Sequence, residues 1–153
     1  MHWLELKVPP PVVALCLAGA MWLAARALPL LHYELPGRNV IAIALIAAGI
    51  AADIASIVAF ARARTTVNPL KPASTSTLVT TGINRYTRNP MYLGMLMSLL
   101  AWAIYLANAS ALALLPAFVL YLNRFQIEPE EKALTTLFGE AFNAYKVRVR
   151  RWL

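Results

Sequence analysis

Four long apolar runs dominate the chain, at residues 11–31, 39–60, 90–106 and 109–125. Each is near the roughly 20 residues that an α-helix needs to cross a hydrocarbon core. The polar breaks between them are unequal. Residues 32–38 make a short one and residues 61–89 a long one, while the third and fourth runs are parted by little more than Asn108. That last pair reads as a tight hairpin with Asn108 at its tip. Pro90 opens the third run with Asn89 before it, an order that favours a capped helix start. Beyond residue 125 the pattern changes. Ile127-Glu128-Pro129-Glu130-Glu131-Lys132 places acids and a proline where a new helix would begin. Leu134, Leu137, Phe138, Phe142, Tyr145, Val149 and Trp152 then recur every three or four residues. That spacing marks helices with one apolar face packed on the bundle or the membrane surface, and Gly139 divides them into two. The expected fold is all-α: an integral membrane bundle of about four transmembrane helices with a cytoplasmic C-terminal helical tail.

Composition supports a membrane setting. Hydrophobic residues make up 60% of the chain and charged residues 14%, with a mean hydropathy of +0.60. A soluble fold of 153 residues has no core large enough for that much apolar surface. The first apolar run is not followed by a small-residue cleavage pattern and reads as a retained helix. The net charge of +7 is distributed as the positive-inside rule requires, not as a nucleic-acid surface. Residues 61–89 carry Arg62, Arg64, Lys71, Arg85 and Arg88 with no acid, and the tail ends in Lys146, Arg148, Arg150 and Arg151. Both termini and the middle loop are therefore expected in the cytoplasm, with the tail cations suited to anionic headgroups; the compact size and the absence of sorting motifs suggest a prokaryotic inner membrane. The single cysteine, Cys16, excludes an internal disulfide, and no Cys/His cluster has metal spacing. Asp53 lies in the middle of the second span, where an acid is costly. It is either an interhelical hydrogen-bonding group or a polar contact near a site. Gly19, Gly49 and Gly94 permit close helix approach. The Asn108-Ala109-Ser110 sequon reads as chance.

Chemistry concentrates in the second half. The middle loop contains Pro69, Pro72 and a Ser/Thr-rich stretch, Ser74 to Thr77, and runs through Leu78-Val79-Thr80-Thr81-Gly82 to Arg88-Asn89-Pro90-Met91-Tyr92-Leu93-Gly94. A helix start presents N–H groups and partial positive charge, which suit a carboxylate or phosphate. Arg88 would reinforce that site, and Gly94 would leave room beside Tyr92 for a ligand against the backbone. Glu128, Glu130 and Glu131 read either as an ordinary charged helix start or as ligand-binding carboxylates. Arg124 sits where a snorkelling arginine at the membrane edge is expected.

Arg-Asn-Pro-Met-Tyr-Leu-Gly at 88–94, Glu-Glu at 130–131 and Phe-Gly-Glu-Ala-Phe-Asn-Ala-Tyr at 138–145 resemble the isoprenylcysteine carboxyl methyltransferase family and its small prokaryotic relatives. The same plan is similar to that of phospholipid N-methyltransferases. The likeness spans residues 78–152. It implies methyl transfer from S-adenosylmethionine at the membrane face, to a lipid or lipophilic, prenylated small molecule that enters from the bilayer. It divides the single membrane domain into an N-terminal two-helix part, 1–62, and a cofactor-binding catalytic part, 63–153. The resemblance implies that the cofactor's carboxylate lies near Arg88, Asn89, Pro90 and Met91, with Tyr92 packed on the cofactor beside Gly94. Leu78, Val79 and Gly82 would line the adenosine side, and Glu128, Glu130 or Glu131 would take the ribose hydroxyls and ammonium group. It also implies a substrate-contacting, catalytic role for Arg124. The sequence departs from the isoprenylcysteine pattern at Asn89, where that family has histidine, and at Asn84, where it has an aromatic residue. Both departures bear on the acceptor, and no general base can be assigned. A nicotinamide-dependent enzyme resembling sterol reductases and a non-enzymatic membrane assembly protein stand as the alternatives.

Overall fold

The computed structural model describes residues 5–65 and 76–153; Pro69, Lys71, Pro72 and Ser74 of the middle loop lie outside the described residues. The elements in order are α1 (Pro10–Ala27), a 3-10 turn (Pro29–Leu31), α2 (Arg38–Arg62), a second 3-10 turn (Gly82–Arg85) and α3 (Pro90–Leu106). There follow α4 (Ala109–Ala113), α5 (Leu115–Leu122), a π-helical turn (Asn123–Ile127), α6 (Glu128–Phe138) and α7 (Glu140–Arg148). No strand occurs among the described residues. Three helices are long and apolar enough to cross a membrane: Pro10–Ala27, Arg38–Arg62 and the continuous run Ala109–Phe138. Pro90–Leu106 is apolar but has 17 residues, about 25 Å of helix, so it is the shortest crossing of an all-α membrane bundle.

Small residues set the closest packing. Helix α2 buries Ala42, Gly49, Ala52 and Ser56 against the bundle, while Ile43, Ile46, Ile50, Ile54 and Ile57 stand exposed. The exposed series recurs every three or four residues, and the buried one keeps the same helical period with a two-turn step of seven from Ala42 to Gly49. The exposed face is apolar because lipid covers it, and the buried face is small because association in lipid depends on close approach. At the α2–α3 crossing, a Cβ on Gly49 would lie 2.9 Å from the Gly94 carbonyl oxygen. Glycine is required there on both helices, and Asp53 packs over Gly94. Asp53 has a buried Oδ1 with no hydrogen-bond partner among the described residues, so of its two readings the interhelical bond is not made there. Helix α1 is tied to α3 by the Trp102 indole, which donates to the Ala18 carbonyl at 3.0 Å. Met21, Leu99, Phe118, Leu122 and Ile127 fill the space between α1, α3 and α5.

The ends of the helices correct two expectations. Helix α1 stops at Ala27, not residue 31, because Pro29 cannot continue it. The tail does not begin as a separate helix at Pro129 either. Helix α5 passes through the π turn into α6 without a break. Pro129 has no N–H, so the Phe125 carbonyl one turn earlier needs another donor. Leu6 supplies it with an N–H···O bond of 3.0 Å. Gln126 donates to the Val8 carbonyl at 2.7 Å, and Arg124 pairs with Glu5 at 2.9 Å. The segment before α1 is thus stitched along the turn that α5 needs in order to continue. Gly139, with φ of +50°, separates α6 from α7 as the sequence pattern predicts.

Candidate active site

One end of the bundle opens into a cavity of about 490 Å³. Its wall combines the start of α1, the end of α2, the start of α3 and the two tail helices. Of the residues singled out in the sequence, Leu78, Val79, Arg88, Asn89, Pro90, Met91, Tyr92, Glu130 and Glu131 line it. Gly82, Gly94, Arg124 and Glu128 do not. Gly94 faces Asp53 and Gly49 in the helix crossing, so the space beside it holds another helix and not a ligand. Gly82, with φ of +62°, starts the 3-10 turn. Arg124 is held outside by Glu5 and, at 3.6 Å, by Glu128.

The start of α3 is built differently from a capped helix. Asn89 occupies the cap position, but its side chain makes no cap bond. Its amide donates instead to the Arg151 carbonyl at 2.9 Å. The Thr87 hydroxyl donates to the same carbonyl at 3.1 Å and accepts the Asn89 N–H at 3.2 Å. The Arg88 N–H donates to the Arg150 carbonyl at 3.0 Å. The end of the chain therefore crosses over the loop that carries Arg88. Trp152 completes the strap by donating to the Asn123 side-chain oxygen at 3.1 Å.

The three acids after α5 have three separate fates. Glu128 turns outward to Arg124. Glu130 faces the cavity and accepts a hydrogen bond from the Tyr92 hydroxyl. Glu131 is gripped by Arg151 through Nε and Nη2, at 2.9 and 2.8 Å, and by Arg88 Nη2 at 3.1 Å. The expectation that Arg151 serves anionic headgroups is corrected, since its guanidinium is committed to this carboxylate. That bond raises the Arg151 pKa, whereas burial lowers that of Arg88 with Glu131 opposing. Burial also pushes the Tyr145 phenol up to about 12, with Arg88 opposing. Its neutral hydroxyl donates to the Asn84 carbonyl at 2.7 Å.

Several donors in the wall have nothing to donate to. Arg88 uses Nη2 on Glu131, but its buried Nε and Nη1 have no partner among the described residues, and neither do Asn84 Nδ2 and Ser56 Oγ. All three residues line the cavity. Unsatisfied buried polar groups are costly, so such a cluster marks a place where a polar ligand would supply the missing bonds. Sequence patterns did not select Ser56, Phe60, Met95, Leu134 or Tyr145 as site residues. Ser56 was concealed in the small-residue face of α2, and Leu134 and Tyr145 in the amphipathic stripe of the tail.

A membrane bundle with a half-open, largely apolar cavity at one end, carrying a few charged and polar side chains, is the class that this arrangement defines. Residues 38–141 match the phospholipid methyltransferase family, and the chain belongs to that family. The matched region holds α2 through α6, and with them most of the cavity wall. An uncharacterized protein of Haemophilus influenzae is 46% identical over 63 residues, which is 41% of this chain and 100% of that protein. No solved structure matches the chain. By membership this is a membrane methyltransferase of a lipid-modifying family.

Proposed function

We propose that this protein transfers a methyl group from S-adenosylmethionine to a lipid or lipophilic acceptor that reaches the cavity from the bilayer. The observation that carries this reading is Arg88, a cavity-lining residue just before α3 with two buried donors that have no partner among the described residues. The amino-acid end of the cofactor is a zwitterion. Its carboxylate suits Arg88, and its ammonium group or ribose hydroxyls suit Glu130, which Tyr92 holds by one oxygen. Asn84 Nδ2 adds a further donor. When bound, the cofactor supplies an electrophilic methyl group. Leu78, Val79, Met91 and Met95 give the cavity an apolar wall that excludes water and orients the reactants, and positioning of this kind lowers the barrier to a transfer between two bound partners. A carboxylate acceptor needs no proton removed, whereas an amine must lose one.

Lateral entry is supported by Pro10 and Pro11 of α1 and Ser56 and Phe60 of α2, which reach the cavity from helices with lipid-facing outer surfaces. The cavity end faces the cytoplasm in this reading. Among the described basic residues, only Arg26, near the end of α1, and Arg38, at the start of α2, lie at the other end. Calorimetry with S-adenosylhomocysteine in detergent tests the proposal. Wild type should bind at one site, and Arg88→Met, checked for folding by its melting curve, should weaken binding about 100-fold or more. A folded wild type that takes up no ligand at millimolar concentration overturns it.

A further inference from the structure

We propose that a second, smaller cavity binds the phosphate group of an anionic membrane lipid. This cavity, of about 310 Å³, is lined by Thr80, Thr81, Arg85, Tyr145, Arg148 and Val149. Its two charged residues are both arginines, and no acid lines it among the described residues. The contrast with the neighbouring cations is sharp. Arg88 and Arg151 share Glu131, and Arg124 has Glu5 and Glu128. Arg148 reaches only a helix carbonyl, that of Ala144 at 3.4 Å, and Arg85 makes no ion pair among the described residues. Two guanidinium forks with two threonine hydroxyls at one concavity provide a dense set of donors for an anion with several oxygens.

The setting favours a lipid over a soluble phosphate as the source: Arg85 lies just before α3 and Arg148 ends α7, at the end of a membrane bundle where most of the described cations gather. Tyr86, next to Arg85, is 74% exposed, and Val147, next to Arg148, is 89% exposed. Exposed aromatic and aliphatic side chains beside cations suit the headgroup region of a bilayer. Tyr145 forms part of both cavities, but the assignment does not depend on the methyl-transfer reading.

Native mass spectrometry of the full chain with phosphatidylglycerol or phosphatidylcholine tests the site. Wild type is expected to retain one phosphatidylglycerol. In the double variant Arg85→Gln/Arg148→Gln, retention should fall about 100-fold, about tenfold for each guanidinium whose charge-assisted bonds to the phosphate are lost. Arg62→Gln/Arg64→Gln removes the same charge elsewhere at this end and should leave retention unchanged. Equal losses in both double variants would reduce the effect to general surface charge and overturn the proposal, as would equal retention of the two lipids. Calorimetry with inorganic phosphate separates the sources. Phosphate binding that the Arg85/Arg148 variant loses, without lipid retention, keeps the anion site but overturns its lipid assignment.

Discussion

The two ends of the bundle are finished in opposite ways. At the end away from the cavity, Asn108 is buried and its side chain uses both of its polar atoms. Its amide nitrogen donates to the Leu28 carbonyl at 2.9 Å and the Ala25 carbonyl at 3.3 Å. Its oxygen accepts from the Ser110 N–H at 3.0 Å and the Ser110 hydroxyl at 2.6 Å. The Tyr33 N–H adds a bond to the Ala107 carbonyl at 2.9 Å. At the cavity end Arg88, Asn84 and Ser56 keep buried groups without partners. Both ends bury polar groups at similar depth, yet only one satisfies them internally. The satisfied end fixes the order and spacing of α1, α3 and α4. The unsatisfied end sacrifices stability and leaves bonds for a ligand to complete.

This contrast can be broken from either side. The largest effect is predicted for Arg88→Met. Two charge-assisted bonds of about 1.5–3 kcal/mol each are removed, so S-adenosylhomocysteine affinity should fall ~100-fold or more by calorimetry, with little change in melting temperature. Asn108→Ala should do the reverse. We expect a stability loss of about 2–3 kcal/mol from the lost cap and bridging bonds, seen as a lower melting temperature, with affinity intact in the folded fraction. Arg151→Gln should fall between them. Losing the bidentate grip on Glu131 is expected to weaken affinity about tenfold; unchanged affinity would mean that Arg88 alone holds the carboxylate. The smallest expected quantity is the coupling between Arg88→Met and Asn108→Ala. Their effects on stability should add to within about 0.5 kcal/mol, since the two ends share no partners. A larger coupling would show that the ends act as one unit.

Much of the fold was legible because lipid imposes a length and a hydropathy that few other constraints mimic. Pro90 marked the start of α3, and residues 90–106 form that helix. Helix α2 exceeds its expected bounds of 39–60 by one residue at the start and two at the end. The limits of local reasoning appear where side chains meet distant backbone. Asn89 has the residue type and position of a cap, but its amide is taken by a carbonyl 62 positions away. Arg151 read as one of a run of cations suited to anionic headgroups, and its partner is 20 positions back on α6. Gly94 suggested both close helix approach and room for a ligand; the first holds, at the crossing with α2, and the second does not. Spacing gave Glu128, Glu130 and Glu131 equal standing. Only the helix rotation and the placement of Arg124, Tyr92 and Arg88 sort them into an outward pair, a cavity carboxylate and a buried ion-pair centre.

The strap formed by residues 149–152 also orders events during synthesis. Thr87 and Arg151 are 64 positions apart, and the carbonyls of Arg150 and Arg151 complete the loop that carries Arg88. At about 5–20 residues per second on the ribosome, α1 to α5 emerge seconds before that closure is possible. Threading into the bilayer and maturation of the cavity are consequently separate stages. A lesion in the strap is therefore expected to leave the spans inserted and the cavity unfinished.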